Sequence, residues 1–344
     1  MTATTTADAG TRARTGAGTD ATETTEPVAD FRFFELEVLR TRRLGHSFLR
    51  VTFGGESLTG FRSGGYDQSL SLFLPPPHRE RTELPSTEED TWFGAWRAMP
   101  EAERPVMRSY TVREQRRTPE GVDEVDIDFV LHGDTSPASA WAGRAVTGRR
   151  ILAIGPAVAQ NKSVRFQPPA DTDLVLMYAD ETALPAAAAI LGRLPSGSRV
   201  KAWFEVPHED DRLTLPSPAD ADITWVVRGA GAGRERTEHL LEVVRAAAPP
   251  ACEAPYVWIA GEAGTIRAVR RLLVRERGVD RRRVRFTGYW RLGASEEELL
   301  AEAYSGRAPS EDPARSCKPE LPLYRAHFEG PRPIGRGPLR LVNK

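Results

Sequence analysis

Several residue types that would assign a chain to a specialised class are scarce in this sequence of 344 residues. Two cysteines, Cys252 and Cys317, are too few for a disulfide framework or for a cysteine-rich zinc or iron–sulfur site. The six histidines are scattered rather than spaced as metal ligands, so we predict no metal site. No apolar run approaches the ~18 residues of a membrane-spanning helix.

Neither sign of charge is in excess. The 47 lysines and arginines balance 48 aspartates and glutamates, which argues against nucleic-acid binding through bulk charge. The first 30 residues contain no Phe, Trp, Tyr, Leu or Ile. They cannot bury enough apolar surface to offset the entropy of ordering, so residues 1–30 are predicted to be a disordered tail. The tail lacks the apolar core of a secretory signal, and we expect a soluble, cytoplasmic protein with no membrane or nucleic-acid partner.

The remaining chain is longer than one hydrophobic core usually organises, which predicts two folded domains. From residue 31, short β-rich stretches are separated by Gly and Pro, a pattern typical of an antiparallel barrel or sandwich. We predict strands at residues 33–39, 48–53, 70–74, 110–113 and 125–131. The Glu-rich stretch 82–104 is interpreted as an excursion between strands.

After residue 168, nearly continuous apolar strands alternate with helices, which is typical of a parallel α/β sheet. We predict strands at 173–179, 200–206, 223–227, 256–260 and 284–290, and helices at 181–194, 235–247 and 265–277. A capping box at Ser295 begins a short helix to about Tyr304, followed by seven prolines without periodicity. The predicted parts are the tail (1–30), an antiparallel β-barrel domain (31–168), a parallel-sheet α/β domain (169–293) and a C-terminal extension (294–344).

The most specific short run lies on a strand at the edge of the barrel. Arg108 offers a planar cation suited to phosphate, and Tyr110 offers a ring that could stack on a flat cofactor. Thr111 adds a hydroxyl donor beside them. These residues could hold a phosphorylated aromatic cofactor, although on this run alone a purely structural strand is the favoured interpretation.

The strand that ends at His132 and Gly133 leads into a run of small residues. Small residues let a backbone approach a ligand closely, and Pro137 suits the first turn of a helix whose N–H groups could bind a pyrophosphate. Ser136 could equally be only an N-cap. A single histidine at a strand end is more often structural than catalytic.

Two loops of the α/β domain follow strand ends at one predicted edge of the sheet. Asp180, Glu181 and Thr182 follow the first strand, and Gly261 and Glu262 end the fourth. Ligands bind open α/β sheets at such carboxyl ends. The first loop lacks the Gly-x-Gly-x-x-Gly fingerprint, so simple capping of the next helix is an equally good interpretation.

With these runs in order, residues 31–293 resemble the siderophore-interacting protein family of FAD-dependent ferric-siderophore reductases, within the ferredoxin-reductase-like group. The motifs that carry the resemblance are 107–113 (MRSYTVR), 128–133 (DFVLHG), 137–142 (PASAWA), 180–186 (DETALPA), 259–263 (IAGEA) and 286–291 (FTGYWR). The resemblance implies that the barrel binds FAD and that the α/β domain binds NADPH or NADH.

The resemblance also implies roles for particular residues. Arg108 would contact the FAD pyrophosphate, Tyr110 would stack on the isoalloxazine and Thr111 would lie near its N5, so Tyr110 and Thr111 are the candidate catalytic residues. The other candidate cofactor contacts are Ser109, His132, Gly133, Pro137, Ala138, Ser139, Trp141, Asp180, Glu181, Thr182, Gly261, Glu262 and Trp290.

The implied reaction passes electrons from NADPH or NADH through FAD to the Fe(III) of a siderophore and releases the iron as Fe(II). In such a reaction the protein supplies positioning and electrostatics. Two other functions stay open. One is an FAD-dependent oxidoreductase acting on another small molecule, and the other is a siderophore-binding electron-relay protein supplied by ferredoxin.

The sequence departs from the family on the substrate side. Relatives commonly carry Lys where this chain has Ser71, and the chain contains only four lysines. Lys162 and Lys201 are candidate substrate-side cations for an anionic chelate, although solvated surface charge is the commoner role of lysine. A preference for NADPH would require an arginine near the end of the second α/β strand, and Arg212 or Arg228 could serve.

Overall fold

The structure is a computed structural model that describes residues 29–88, 90–134, 136–228, 234–247 and 251–294. The strands are β1 (Phe31–Arg43), β2 (Phe48–Gly54), β3 (Ser69–Leu74), β4 (Val106–Thr111), β5 (Glu114–Arg117), β6 (Asp123–Val130), β7 (Arg150–Pro156), β8 (Leu174–Ala179), β9 (Arg199–Val206), β10 (Asp220–Val227), β11 (Pro255–Glu262) and β12 (Val284–Trp290). The helices are α1 (Trp92–Ala98), α2 (Pro137–Gly143), α3 (Leu184–Leu191), α4 (Arg234–Ala246) and α5 (Ala263–Arg271). The helix predicted from Ser295, the C-terminal extension and most of the N-terminal tail lie outside the described residues.

The N-terminal half forms a seven-stranded antiparallel sheet in the order β4-β3-β7-β1-β2-β6-β5. Its two edge strands, β4 and β5, are joined by only Val112 and Arg113. The sheet must therefore curl until its edges approach each other. The Arg113 N–H, in this two-residue link, donates to the Asp126 carbonyl of β6, the neighbour of β5, at 2.9 Å. This curved sheet, with its apolar core inside, confirms the predicted antiparallel barrel.

The sequence pattern does not predict β5 or β7. The side chains of β5 are Glu, Gln and Arg, and its two arginines meet acidic partners on β6 rather than a core, as Arg116 meets Asp126 at 2.7 Å. β7 contains Ala and Gly, which are weak strand formers, yet it lies between β3 and β1, where burial outweighs propensity. In the 82–104 excursion, Trp92 and Trp96 of α1 pack on Phe73 and cover the outer face of the barrel.

The C-terminal half is a five-stranded sheet in the order β10-β9-β8-β11-β12, and every pairing is parallel. This confirms the predicted parallel α/β sheet. The first strand, β8, lies at the centre and all of its residues are buried, as are all eight residues of the Ala-rich helix α3 that follows. The strand order reverses direction between β8 and β11, so their carboxyl ends flank a crevice.

The two halves share a buried boundary. Phe48 and Phe166 pack into the core of the α/β sheet. The Asp67 carboxylate, before β3, accepts a hydrogen bond from Trp258 Nε1 on β11 at 2.9 Å. These contacts hold the carboxyl edge of the parallel sheet beside the barrel.

Within the described ranges, no helix has the length and apolar character required to cross a bilayer. In the same ranges, no three His, Cys, Asp or Glu side chains are grouped as metal ligands would be.

Candidate active site between the two domains

A cavity of about 1010 Å³ opens between the barrel and the carboxyl edge of the α/β sheet. Sites for drug-sized ligands occupy roughly 300–1,000 Å³, so this cavity has room for a large, extended ligand. Of the 16 candidate cofactor contacts, ten line it: Arg108, Ser109, Tyr110, Thr111, His132, Ala138, Glu181, Thr182, Glu262 and Trp290. The motifs of both domains therefore meet at one cavity.

The barrel wall of the cavity is the edge strand β4. Arg108 and Tyr110 project from one face of the strand and Ser109 and Thr111 from the other, as alternation requires. All four line the cavity, because β4 has a neighbour on one side only. The Tyr110 ring packs on Phe129, with the ring centroids 4.4 Å apart. This contact supports the aromatic ring from behind.

The turn after β6 is fixed by a serine that does not line the cavity. The Ser139 hydroxyl accepts a hydrogen bond from the His132 N–H at 2.8 Å and donates to the Gly133 carbonyl at 2.7 Å. Gly133 has a φ of 74°, in the left-handed region that favours glycine. Pro137 is exposed at the start of α2, and Trp141 is buried in the barrel core. Thus only part of the segment 132–141, which was predicted to contact the cofactor, faces the cavity.

Asp180 is fully buried beneath the cavity. One carboxylate oxygen accepts hydrogen bonds from the Thr182 N–H at 2.9 Å and the Thr182 hydroxyl at 2.6 Å. The other accepts from the Glu262 N–H and from Trp290 Nε1, both at 2.8 Å. Gly261 leaves room for this carboxylate, since a Cβ there would lie 2.5 Å from the Asp180 carboxyl carbon. The structural interpretation of Asp180 therefore fits its position, and it joins the ends of β8, β11 and β12.

Glu181 belongs to a buried charged cluster that the sequence did not reveal as a group. Arg228, which follows β10, donates to Glu181 at 2.6 Å. Arg236 of α4 hydrogen-bonds Glu205 of β9 and approaches Glu181 at 3.6 Å. Burial, followed by the negative charge of Asp180, raises the pKa of Glu181 to about 7.

Several cavity-lining cations were not singled out from the sequence. Arg234, Arg236 and Thr237 lie in the first turn of α4, and all three line the cavity. The topology could have indicated these residues, because a helix that follows a parallel strand begins at the carboxyl edge of the sheet. Arg165 also lines the cavity, and it comes from the segment between the two domains.

The two candidate lysines occupy different surroundings. Lys162 is exposed and directly precedes Ser163, which lines the cavity. Lys201 lies near the amino end of β9, away from the cavity, and its ammonium pairs with Asp222 at 2.6 Å. Ser71, the position where relatives carry Lys, is buried on β3.

Of the two arginines considered for a coenzyme phosphate, the structure brings only one to the cavity. Arg228 lines it, and partial burial together with the positive charge of Arg228 lowers the pKa of the nearby His132. Arg212 does not line it and instead pairs with the exposed Glu209.

The polar groups of the cavity wall fit a dinucleotide that carries a flat ring system. The hydroxyls of Ser69 and Ser163, two cavity-lining residues, are buried without a hydrogen-bond partner among the described residues. Buried polar atoms are nearly always paired, so a ligand with polar atoms is expected beside them. Arg108 and Tyr110 bring a guanidinium and an aromatic ring to the same wall, which are groups that suit a diphosphate and a flat ring system. This donor set fits FAD.

Tyr289 of β12 connects the α/β side of the cavity to β4. It lines the cavity, and its hydroxyl lies near the Thr111 side chain. Burial, followed by the charge of Asp67, raises the pKa of Tyr289, so its hydroxyl stays protonated at neutral pH. Tyr289 therefore brings a neutral phenol from the α/β domain close to Thr111.

Comparison with known proteins agrees with this geometry. A family model described as a siderophore-interacting FAD-binding domain matches residues 37–160, and a siderophore-interacting protein model matches residues 172–293. The chain is 31% identical to the ferric vibriobactin reductase ViuB of Vibrio cholerae over 269 residues, which cover 78% of this chain and 93% of that protein.

Two further relatives extend this comparison. The NADPH-dependent ferric-chelate reductase of Escherichia coli is 30% identical, with 76% of this chain and 94% of that protein covered. The crystal structure of a siderophore utilization protein from T. fusca aligns with a TM-score of 0.64 at 34% identity, covering 78% of this chain and 96% of that one. The resemblance inferred from the motifs is thus confirmed: the chain belongs to the siderophore-interacting protein family and is an FAD-dependent oxidoreductase.

Proposed function

We propose that this protein reduces ferric siderophores with electrons that pass from NADPH or NADH through FAD to Fe(III). The observation that carries the proposal is the two-sided cavity, with the Arg108–Thr111 edge on one wall and the carboxyl ends of β8 and β11 on the other. Relatives that the chain matches over most of their length are named ferric vibriobactin reductase and NADPH-dependent ferric-chelate reductase, which supports the same reaction here.

Bound FAD supplies the conversion between a nicotinamide, which gives up two electrons as a hydride, and Fe(III), which accepts one electron at a time. The residues of this chain provide the binding and the positioning. Arg108 would hold the diphosphate, and Tyr110, supported by Phe129, would carry the ring system. Thr111, with Tyr289 nearby on the opposite wall, would offer its hydroxyl at the reacting edge.

The α/β wall would receive the nicotinamide coenzyme. Glu181, Thr182, Glu262 and Trp290 line this side, and Arg228 offers a guanidinium to a coenzyme phosphate. On reduction the iron leaves its chelate, because hard oxygen donors such as catecholates and hydroxamates hold Fe(II) far less tightly than Fe(III).

Lys162 is the proposed substrate-side cation. Its exposure beside the cavity would let its ammonium meet an anionic ferric chelate. We expect Lys162→Ala to raise the KM for an anionic chelate by about two- to fivefold, as exposed charge pairs contribute up to ~1 kcal/mol, without changing flavin content. Lys201→Ala is the matched control, since that ammonium is paired with Asp222 away from the cavity. Equal effects of the two substitutions would remove Lys162 from the site.

An anaerobic titration of the flavin-loaded protein tests the proposed function. We expect NADPH or NADH to bleach the flavin absorbance, and a ferric catecholate or hydroxamate to restore it with two Fe(II) formed per coenzyme consumed. Bleaching by reduced ferredoxin alone would exclude nicotinamide as the donor. Bleaching by a nicotinamide that no ferric chelate reverses would point to a different small-molecule acceptor and overturn the siderophore assignment.

A further inference from the structure

We propose that Glu181 is an internal counter-ion, which a coenzyme phosphate displaces from Arg228, and that Glu181 takes up a proton when this happens. The inference rests on the proposed function, because it assumes that a nicotinamide coenzyme enters the α/β side of the cavity. It adds a specific role to a carboxylate that the electron transfer itself does not use.

The placement of the ion pair makes the exchange possible. Arg228 follows the last residue of β10 at the carboxyl edge of the sheet, and its side chain is 18% exposed. The Glu181 side chain behind it is 3% exposed, and the 2.6 Å contact joins Arg228 Nη2 to Glu181 Oε1. A phosphate in the cavity can therefore reach the guanidinium, whereas Glu181 cannot follow it into solvent.

The surrounding charges leave Glu181 dependent on Arg228. Asp180, Glu181 and Glu205 bring three carboxylates to a cluster with two guanidinium groups, those of Arg228 and Arg236. Arg236 hydrogen-bonds Glu205 and stays 3.6 Å from Glu181. Glu181 Oε2 is buried without a hydrogen bond to any described residue. Arg228 is thus the described group that hydrogen-bonds the Glu181 carboxylate, and when it turns to a phosphate Glu181 keeps only the longer 3.6 Å ion pair with Arg236.

An ionised carboxylate that is buried beside other carboxylates gains a proton when its counter-ion leaves. In the coenzyme-free protein, burial and Asp180 already raise the pKa of Glu181 to about 7, although Arg228 lowers it. When the charge of Arg228 is drawn to the phosphate and the negative charge of the phosphate arrives, both changes raise the pKa of Glu181 further. Glu181 is thus about half ionised at pH 7 and largely ionised near pH 8 before binding, and the ionised fraction takes up a proton from water on binding.

Other ionisable groups face the same cluster, and proton uptake by them must be distinguished from proton uptake by Glu181. They are Tyr178 and Asp180 beside Glu181, Glu205 on β9, Arg228 after β10, Arg236 on α4, Glu262 at the end of β11 and His132 on the barrel side. Burial keeps the pKa of Tyr178 well above its usual value, so it stays protonated. His132 is the competing proton acceptor, because burial and then the charge of Arg228 lower its pKa, and a bound phosphate would offset the effect of Arg228.

Calorimetric binding of NADP⁺ to the FAD-loaded protein, in pairs of buffers with different ionisation enthalpies, measures the proton uptake directly. We expect uptake of about half a proton near pH 7 and close to one proton near pH 8, where the Kd should rise by up to about tenfold per pH unit. Glu181→Gln should bind NADP⁺ more tightly and remove most of the proton uptake. NAD⁺ serves as a second probe, because it lacks the titrating 2′-phosphate.

Matched variants decide between the possible proton acceptors. Glu209→Gln neutralises the carboxylate of an exposed arginine pair outside the cavity and should retain wild-type uptake. Uptake that persists in Glu181→Gln, or that disappears instead in His132→Gln, overturns the inference. Arg228→Gln should weaken NADP⁺ binding and abolish the coupling, which keeps the test decisive if Glu181→Gln does not fold.

The two proposals fail in different ways. NADP⁺ binding without proton uptake in the wild-type protein overturns the role of Glu181 and leaves the proposed reductase activity standing. A protein that binds neither nucleotide, and whose flavin neither NADPH nor NADH bleaches, overturns the nicotinamide donor and the role of Glu181 together.

Discussion

Arginine is abundant in this chain, and at the residue scale its role depends on its position. Arg108 lies on the edge strand of the barrel and lines the cavity. Arg150 lies at the start of β7 on the outer surface, where its guanidinium pairs with Glu35 and Glu37 at 2.9 and 2.7 Å. The two side chains have the same chemistry, so a comparison between them isolates the effect of the cavity.

Arg108→Ala should therefore weaken FAD retention while Arg150→Ala should not. A charge-assisted hydrogen bond to a phosphate contributes on the order of 1.5–3 kcal/mol, so the Kd for FAD should rise roughly 10- to 100-fold. Flavin fluorescence after ultrafiltration, followed by titration of the apoprotein with FAD, gives both values. Equal flavin occupancy in the two variants would contradict the role of Arg108.

At the scale of elements, the crevice depends on how closely β8 and β11 approach at their carboxyl ends. Gly261 of β11 has a φ of 140° and faces the Asp180 carboxylate, which receives hydrogen bonds from the ends of β11 and β12. Gly288 is its register partner on β12, but a Cβ there would only touch Ala263 at 3.4 Å. A Cβ is therefore excluded at Gly261 and tolerated at its paired glycine, Gly288.

Gly261→Ala should lower the free energy of unfolding by at least about 2 kcal/mol, because the new Cβ would clash with a fully buried carboxylate and the residue would be strained at this φ. Gly288→Ala should change it by less than about 1 kcal/mol. Urea denaturation followed by circular dichroism compares the two. A stable Gly261→Ala protein would show that Asp180 and its hydrogen bonds can shift without cost.

The sequence predicted those elements whose own residues show a clear hydrophobic pattern. β8 is a continuous apolar run and β9 is rich in apolar residues, and both match their predicted ranges within one residue at each end. β5, β7 and α1 were missed, because their stability comes from partners distant in sequence: acidic side chains of β6, the neighbours of β7, and Phe73 under α1. The same limit applies to the site. The Arg108–Thr111 run is contiguous and was found, whereas Arg236 joins Glu205 only through the fold.

At the scale of the whole molecule, the cavity exists because two separate cores are held together. Asp67 of the barrel domain accepts hydrogen bonds from the Arg165 and Phe166 N–H groups and from Trp258 Nε1, all at 2.9 Å. Burial raises the pKa of Asp67, and these hydrogen bonds offset part of that rise. The carboxylate therefore relies on Trp258, which is the donor that comes from the α/β sheet.

Trp258→Phe should loosen the boundary between the domains, because it leaves a buried carboxylate oxygen without its indole donor. The expected loss is about 1–3 kcal/mol beyond that of Trp203→Phe, a matched control whose buried Nε1 has no partner among the described residues. The Tm of Trp258→Phe should consequently lie at least about 3 °C below that of Trp203→Phe. FAD should also leave Trp258→Phe at lower urea concentrations, since its cavity is formed by both domains. Coincident melting curves and flavin release for the two variants would show that the Asp67–Trp258 contact does not hold the cavity together.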